Sequence, residues 1–193
     1  MAIHPFIVRI THWLNAVAVV IMILSGWQIY NAHPILPVSF PAWMTLGGWL
    51  GGALQWHFAA MWLLMANGAL YLAYGVSSGR LRTRFFPISP REVIADLSQA
   101  LKGRLAHDDL AHYNGVQKVF YVGLIAALIL IVLSGLAIWK PVQLWWLVAV
   151  FGGFQGARLV HFIAMSAIAG FIVVHVVMAL LVPKTIRAMV FGR

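Results

Sequence analysis

The chain has 193 residues, 63% of them hydrophobic and only 9% charged, with a formal net charge of +9. No soluble domain reads this way; the composition is that of an integral membrane protein. Cysteine is absent, which excludes disulfides, thiolate ligands, iron–sulfur clusters and covalently attached c-type haem. A redox cofactor would have to hang from His, Met or Tyr.

Four membrane-length apolar segments stand out, at roughly 10–30, 52–75, 117–139 and 158–182. Each has about 20 or more residues, enough for a hydrocarbon core of about 30 Å. The first reads as a retained span rather than a cleaved leader: it is long enough to cross, and no A-x-A-like site stands near its end. Between Arg9 and Arg80 there is no Asp, Glu, Lys or Arg. In the connection 31–51, Pro34, Pro37 and Pro41 end the first helix, and Trp43 and Trp49 suit a membrane interface. The connection 76–116 carries Arg80, Arg82, Arg84, Arg91, Lys102 and Arg104. Within it, Ser89-Pro90-Arg91-Glu92 reads as a capping box with proline at the first helical position. Val93, Ile94, Leu97 and Leu101 follow at helical spacing, predicting a short amphipathic helix at about 90–105 on the cytoplasmic surface. The segment 143–151, with Trp145 and Trp146, is too short to span and is expected in the outer interface.

Adding Arg9, Lys118, Lys184, Arg187 and Arg193, eleven basic residues fall on one side and two, Lys140 and Arg158, on the other. The positive-inside rule puts both termini and the second connection in the cytoplasm. The basic charge thus reports topology rather than nucleic-acid binding. The fold class expected is all-α: one domain over 1–193, a four-helix transmembrane bundle in the bacterial inner membrane. Two faint echoes run between its halves. Leu24-Ser25-Gly26-Trp27 resembles Leu133-Ser134-Gly135-Leu136, and Arg9-Ile10-Thr11-His12-Trp13 resembles Arg158-Leu159-Val160-His161-Phe162.

His12, His57, His161 and His175 lie inside the spans. An ionisable ring in a bilayer is a functional hypothesis by default. His161 and His175 are 14 positions apart, about 21 Å along a helix and about 40° from the same face. Orientation places His12 and His175 near the cytoplasmic side, and His57 and His161 near the outer side. Depth therefore pairs His57 with His161 and His12 with His175, each pair drawn from two helices. A b-type haem requires an imidazole on each face of the iron, each ring oriented by its second nitrogen. The spacing predicts two haems, an outer one on His57 and His161 and an inner one on His12 and His175.

Gly26, 14 positions beyond His12, and Gly68, 11 beyond His57, are candidates for backbone clearance beside a porphyrin. Arg9 and Arg158 each precede a ligand histidine by three positions and are candidates for the haem propionates. Plainer roles exist: membrane histidines bond neighbouring helices, membrane glycines pack, and helix-end arginines snorkel. Four histidines sorting into two depth-matched pairs favour ligation. His4, His33 and His107 read as solvated. His112, Asn114 and Gln117 open the third helix on the cytoplasmic side, where they fit either a quinone site or a helix cap.

The chain resembles the bacterial cytochrome b561 family, in the broad sense that includes the cytochrome b subunits of nickel–iron hydrogenase, formate dehydrogenase and thiosulfate reductase. The resemblance covers essentially the whole chain. It rests on Arg9-x-x-His12-Trp13-Leu14-Asn15, His57, Tyr113-Asn114-x-x-Gln117-Lys118, and His161 with His175. Gly48–Trp62 and Ser134–Pro141 look most like the thiosulfate-reductase branch. The resemblance implies four core helices, two haem b, and electron exchange between a quinone and a periplasmic redox protein or catalytic subunit, in that branch a molybdopterin oxidoreductase. It places the haem ligands on the same four histidines. Hydrogenase-type members carry an additional helix beyond the four seen here.

The leading functional expectation is an electron-transfer subunit of an oxidoreductase, surrounded by membrane lipid. A stand-alone superoxide:quinone oxidoreductase is the first alternative; a basic outer entrance would suit it, and only Lys140 and Arg158 lie on that side. A non-redox anchor or metal transporter is the second.

Overall fold

The computed structural model describes residues 4–102 and 113–192. Every regular element among them is helical: α1 (Phe6–Ala32), a 3-10 turn (Ala42–Met44), α2 (Leu50–Ser77), α3 (Arg80–Phe85), α4 (Pro90–Leu101), α5 (Gly115–Trp139), α6 (Trp145–Val150), α7 (Phe154–Leu181) and α8 (Pro183–Phe191). Four of them, α1, α2, α5 and α7, are 27, 28, 25 and 28 residues long and apolar enough to cross a membrane. At about 1.5 Å per residue each reaches about 40 Å, longer than the hydrocarbon core. They overrun most of the expected span ends by a few residues, because the helix also satisfies its own backbone in the headgroup region. α4 corresponds to the amphipathic helix expected at 90–105; His107, His112 and the rest of 103–112 lie outside the described residues. The short helices α3 and α8 have no counterpart in the apolar pattern, which marks spans and not surface helices.

The chain divides into two compact units, one of residues 1–80 with 187–193 and one of residues 81–186. In the first, α1 and α2 pack along their length. Thr11 meets Asn67 while Ser25 meets His57, so the two helices run antiparallel. Their buried positions are mostly small and recur every seven residues: Thr11, Ala18 and Ser25 on α1, and Ala53, Ala60 and Asn67 on α2. Lipid is as apolar as leucine, so membrane helices associate through small residues and interhelical hydrogen bonds. A seven-residue repeat keeps such a seam facing its partner at a shallow crossing angle. The large apolar side chains point outward instead; Val17 and Leu70 are about half exposed.

The loop after α1 folds back onto it. The side-chain amide of Asn31 donates to the Phe40 carbonyl at 2.8 Å and accepts the Phe40 amide at 2.9 Å. Trp27 stacks on Phe40 with ring centroids 4.6 Å apart. His4, expected in solvent, is buried: a helix starting at Phe6 carries it against packed chain.

In the second unit α5 and α7 are also antiparallel, Ser134 meeting His161 and Tyr121 meeting Phe171. α6 fills the space between their connected ends, with Leu147 packed against Ala137 and Ala157. Trp145 and Trp146 of α6 stay exposed, as expected of an interfacial segment. α4 is tied to the start of α5 where the Gly115 amide donates to Asp96 Oδ2 at 2.7 Å.

The polar clasp of the first unit is Asn67, whose amide nitrogen donates to the Thr11 carbonyl at 2.6 Å and to Asn15 Oδ1 at 2.8 Å. Asn67→Leu keeps the volume and removes both bonds. It is expected to destabilise the detergent-solubilised protein by about 1 kcal/mol, read as a lower midpoint of thermal unfolding. An unchanged midpoint would show the clasp to be idle.

Candidate functional site

All four membrane histidines are half-buried. His12 and His57 belong to the first unit, His161 and His175 to the second. His57 and His161 are each held by a serine on the helix they pack against.

Ser25 Oγ lies 2.6 Å from the Ile21 carbonyl and 3.1 Å from His57 Nδ1. A hydroxyl has one proton to donate. The short bond to the carbonyl takes it, so toward His57 the serine oxygen accepts. Nδ1 of His57 therefore carries the ring proton, and Nε2 carries the lone pair. The second unit repeats the arrangement. Ser134 Oγ donates to the Leu130 carbonyl at 2.8 Å and stands 3.1 Å from His161 Nδ1. The same Nδ1 is 3.0 Å from the Ile131 carbonyl, which can only accept. His161 is thus fixed in the same tautomer by two acceptors.

The residue after each serine is glycine. A Cβ on Gly135 would lie 3.1 Å from His161 Cε1, tighter than an ordinary contact, so the close approach there needs the glycine. A Cβ on Gly26 would lie 3.5 Å from His57 Cε1, an ordinary contact distance, so the ring packs next to Gly26 without requiring it. At Gly68 a Cβ would meet nothing within 4 Å.

The other two membrane histidines, His12 and His175, have aromatic neighbours. His12 meets Trp13 edge-on, with centroids 5.4 Å apart and planes at 80°. His175 stacks on Phe171, one turn earlier, with centroids 5.6 Å apart and planes at 13°. Among the described residues no three His, Cys, Asp or Glu side chains gather into a chelating group. A neutral imidazole with one nitrogen engaged and the other bearing its lone pair is what an axial haem ligand has to be. His57 and His161 meet that requirement.

The remaining expected residues sort as follows. Arg9 donates through Nε to the Met189 carbonyl at 3.3 Å, and through Nη2 to the Val190 carbonyl. It satisfies carbonyls left open in the last turn of α8. Arg158 donates to Gln155 Oε1 at 2.8 Å. Asn114 and Gln117 form a reciprocal cap on α5: Asn114 Oδ1 accepts the Gln117 amide at 2.8 Å, and Gln117 Oε1 accepts the Asn114 amide at 3.1 Å. Of the two roles open to them, the cap is realised, and both side-chain oxygens are engaged in it. His112 lies outside the described residues.

Sequence reasoning passed over Ser25 and Ser134 as functional residues. Their signal was the Leu-Ser-Gly echo between the first and third spans. The second echo set His12 against His161, whereas the structural counterpart of His161 is His57.

The family model described as prokaryotic cytochrome b561 matches residues 3–192 of the chain. Over 191 residues the chain is 57% identical to a putative protein-methionine-sulfoxide reductase subunit, YedZ1, of Azospira oryzae, covering 99% of this chain and 96% of that protein. Over 195 residues it is 26% identical to a probable Ni/Fe-hydrogenase B-type cytochrome subunit of Cupriavidus necator, covering 90% of this chain and 76% of that one. No solved structure matches.

Gly135→Val would drive a branched side chain into the space of the His161 ring. The expected outcome is a lower haem-to-protein ratio in the purified protein. A wild-type ratio would mean that the close approach at Gly135 is dispensable.

Proposed function

The chain belongs to the prokaryotic cytochrome b561 family, and from that membership we propose that it is a di-haem b subunit passing electrons from the quinone pool to a periplasmic redox enzyme. It is a multi-pass protein of the bacterial inner membrane, and its family transfers electrons through haem b. The proposed arrangement is a four-helix bundle with both termini in the cytoplasm, as the basic residues require. The outer haem is assigned to His57 and His161 and the inner haem to His12 and His175, on the depths read from sequence and orientation. Bound there, haem b supplies a one-electron Fe(III)/Fe(II) couple.

The observation that carries this reading is the pair of matched serine–histidine clasps. In each unit one histidine is prepared with Nδ1–H engaged and the lone pair on Nε2, the state in which an imidazole ligates. Gly68, which opens on space, provides clearance for the inner porphyrin, and His57 packs next to Gly26 on α1. An arginine has five N–H donors, so Arg9 can hold α8 and a propionate together; Arg158 takes the outer propionates. On the cytoplasmic side, the cap orients the amides of Asn114 and Gln117. With both oxygens committed, their NH₂ groups are the donors for a quinone carbonyl, and His112, outside the described residues, joins them on the sequence reading alone.

The relative in Azospira oryzae is named as a putative subunit of a protein-methionine-sulfoxide reductase. By that likeness the outer partner is a periplasmic catalytic subunit that reduces oxidised methionine in proteins. The resemblance to the thiosulfate-reductase branch makes it a molybdopterin oxidoreductase. Electrons then flow outward, and the exposed Trp43, Trp49, Trp145 and Trp146 belong to its docking surface.

A reduced-minus-oxidised optical spectrum of the purified protein is expected to show b-type haem, and its absence would sink the proposal. His57→Ala is expected to lose one haem and His175→Ala the other. Loss of the same haem in both variants would overturn the pairing. In proteoliposomes, added quinol is expected to reduce the haems; failure to do so would remove the quinone arm.

A further inference from the structure

We propose that Ser25 and Ser134 are positioning residues, each holding the histidine ring of its own unit, His57 or His161, in one tautomer and biasing the haem which that ring ligates toward its oxidised state. The inference rests on the di-haem reading above. It is carried by the same three-part device occurring in two separate units. A helix carbonyl takes the serine proton, at 2.6 Å from Ile21 and 2.8 Å from Leu130. The serine oxygen accepts a hydrogen bond from the imidazole Nδ1–H at 3.1 Å in both, beside a backbone carbonyl of its own helix, Met22 for His57 and Ile131, at 3.0 Å, for His161. The residue that follows is glycine in both, and at Gly135 the ring comes closer than a Cβ would comfortably allow.

Serines in membrane helices often bond the carbonyl one turn back with no further consequence. Here each serine, fully buried, also meets a histidine on the neighbouring helix. A hydroxyl that already donates is a better acceptor, because hydrogen bonds in a chain polarise one another. An imidazole whose Nδ1–H is accepted becomes more basic at Nε2. Greater basicity stabilises ferric over ferrous iron, since the ferric ion gains more from a donating ligand. On the depth pairing proposed above, His57 and His161 ligate the same haem, and the two effects add there.

The test is a potentiometric titration of the purified full-length protein, followed by optical and low-temperature EPR spectra. Wild type, Ser25→Ala, Ser134→Ala and the double variant are compared. Wild-type haem content, expected at two per chain, is read first. A value of one would overturn the di-haem reading itself, whatever the serines do. With two haems present, each single variant is expected to raise the midpoint potential of the same haem and shift that haem's low-spin EPR signal. The double variant is expected to raise the potential further, while the other haem stays at its wild-type potential. If either alanine variant loses haem, Ser25→Cys and Ser134→Cys keep the volume with a weaker acceptor and are expected to shift the same haem. Shifts at different haems, equal shifts at both, or no shift would each overturn the serine role.

Discussion

A helix in lipid gains nothing by hiding its leucines, so what joins it to a neighbour has to be closeness and hydrogen bonding. That constraint organises both units. On α1 and α2 small residues fall every seven positions, at Thr11, Ala18 and Ser25 and at Ala53, Ala60 and Asn67. Backbones brought together in this way put a short hydroxyl within reach of a ring on the next helix. Ser25 reaches His57, and Ser134 reaches His161, only because no bulky side chain holds the helices apart.

The clasp then settles a chemical question that distance alone leaves open. A histidine near a serine has two tautomers available, and only one leaves the lone pair on Nε2. At His57 the Ile21 carbonyl decides it by accepting the serine O–H, and at His161 the Ile131 carbonyl acts on the ring directly, beside Ser134. The preference therefore originates in ordinary helix backbone.

Around these clasps, polar residues near the helix ends serve the protein's own backbone. Arg9 closes the end of α8, the Asn114–Gln117 pair caps α5, and Asn31 fastens the loop that follows α1. Near the membrane an unsatisfied backbone group is costly, so side chains that read as ligand contacts in sequence are first drawn into this work. A cap still leaves an amide its NH₂ donors, and so backbone service and ligand binding are compatible at Asn114 and Gln117.

The sequence by itself determined the membrane class, the four membrane-length helices, the amphipathic α4 and the family. These follow from composition, segment length and periodicity, which bilayer thickness translates directly into structure. The serine–histidine clasps, the burial of His4, the engagement of Arg9 and the helix α8 were decided only by tertiary structure. Each depends on residues far apart in the chain, such as Ser25 with His57 or Arg9 with Met189. No local pattern encodes which helix lies beside which. The Leu-Ser-Gly echo was visible in the sequence, but its meaning lay in a ring on another helix. A hydroxyl in a membrane helix has its own carbonyl to bond, so its sequence neighbours do not reveal what else it holds.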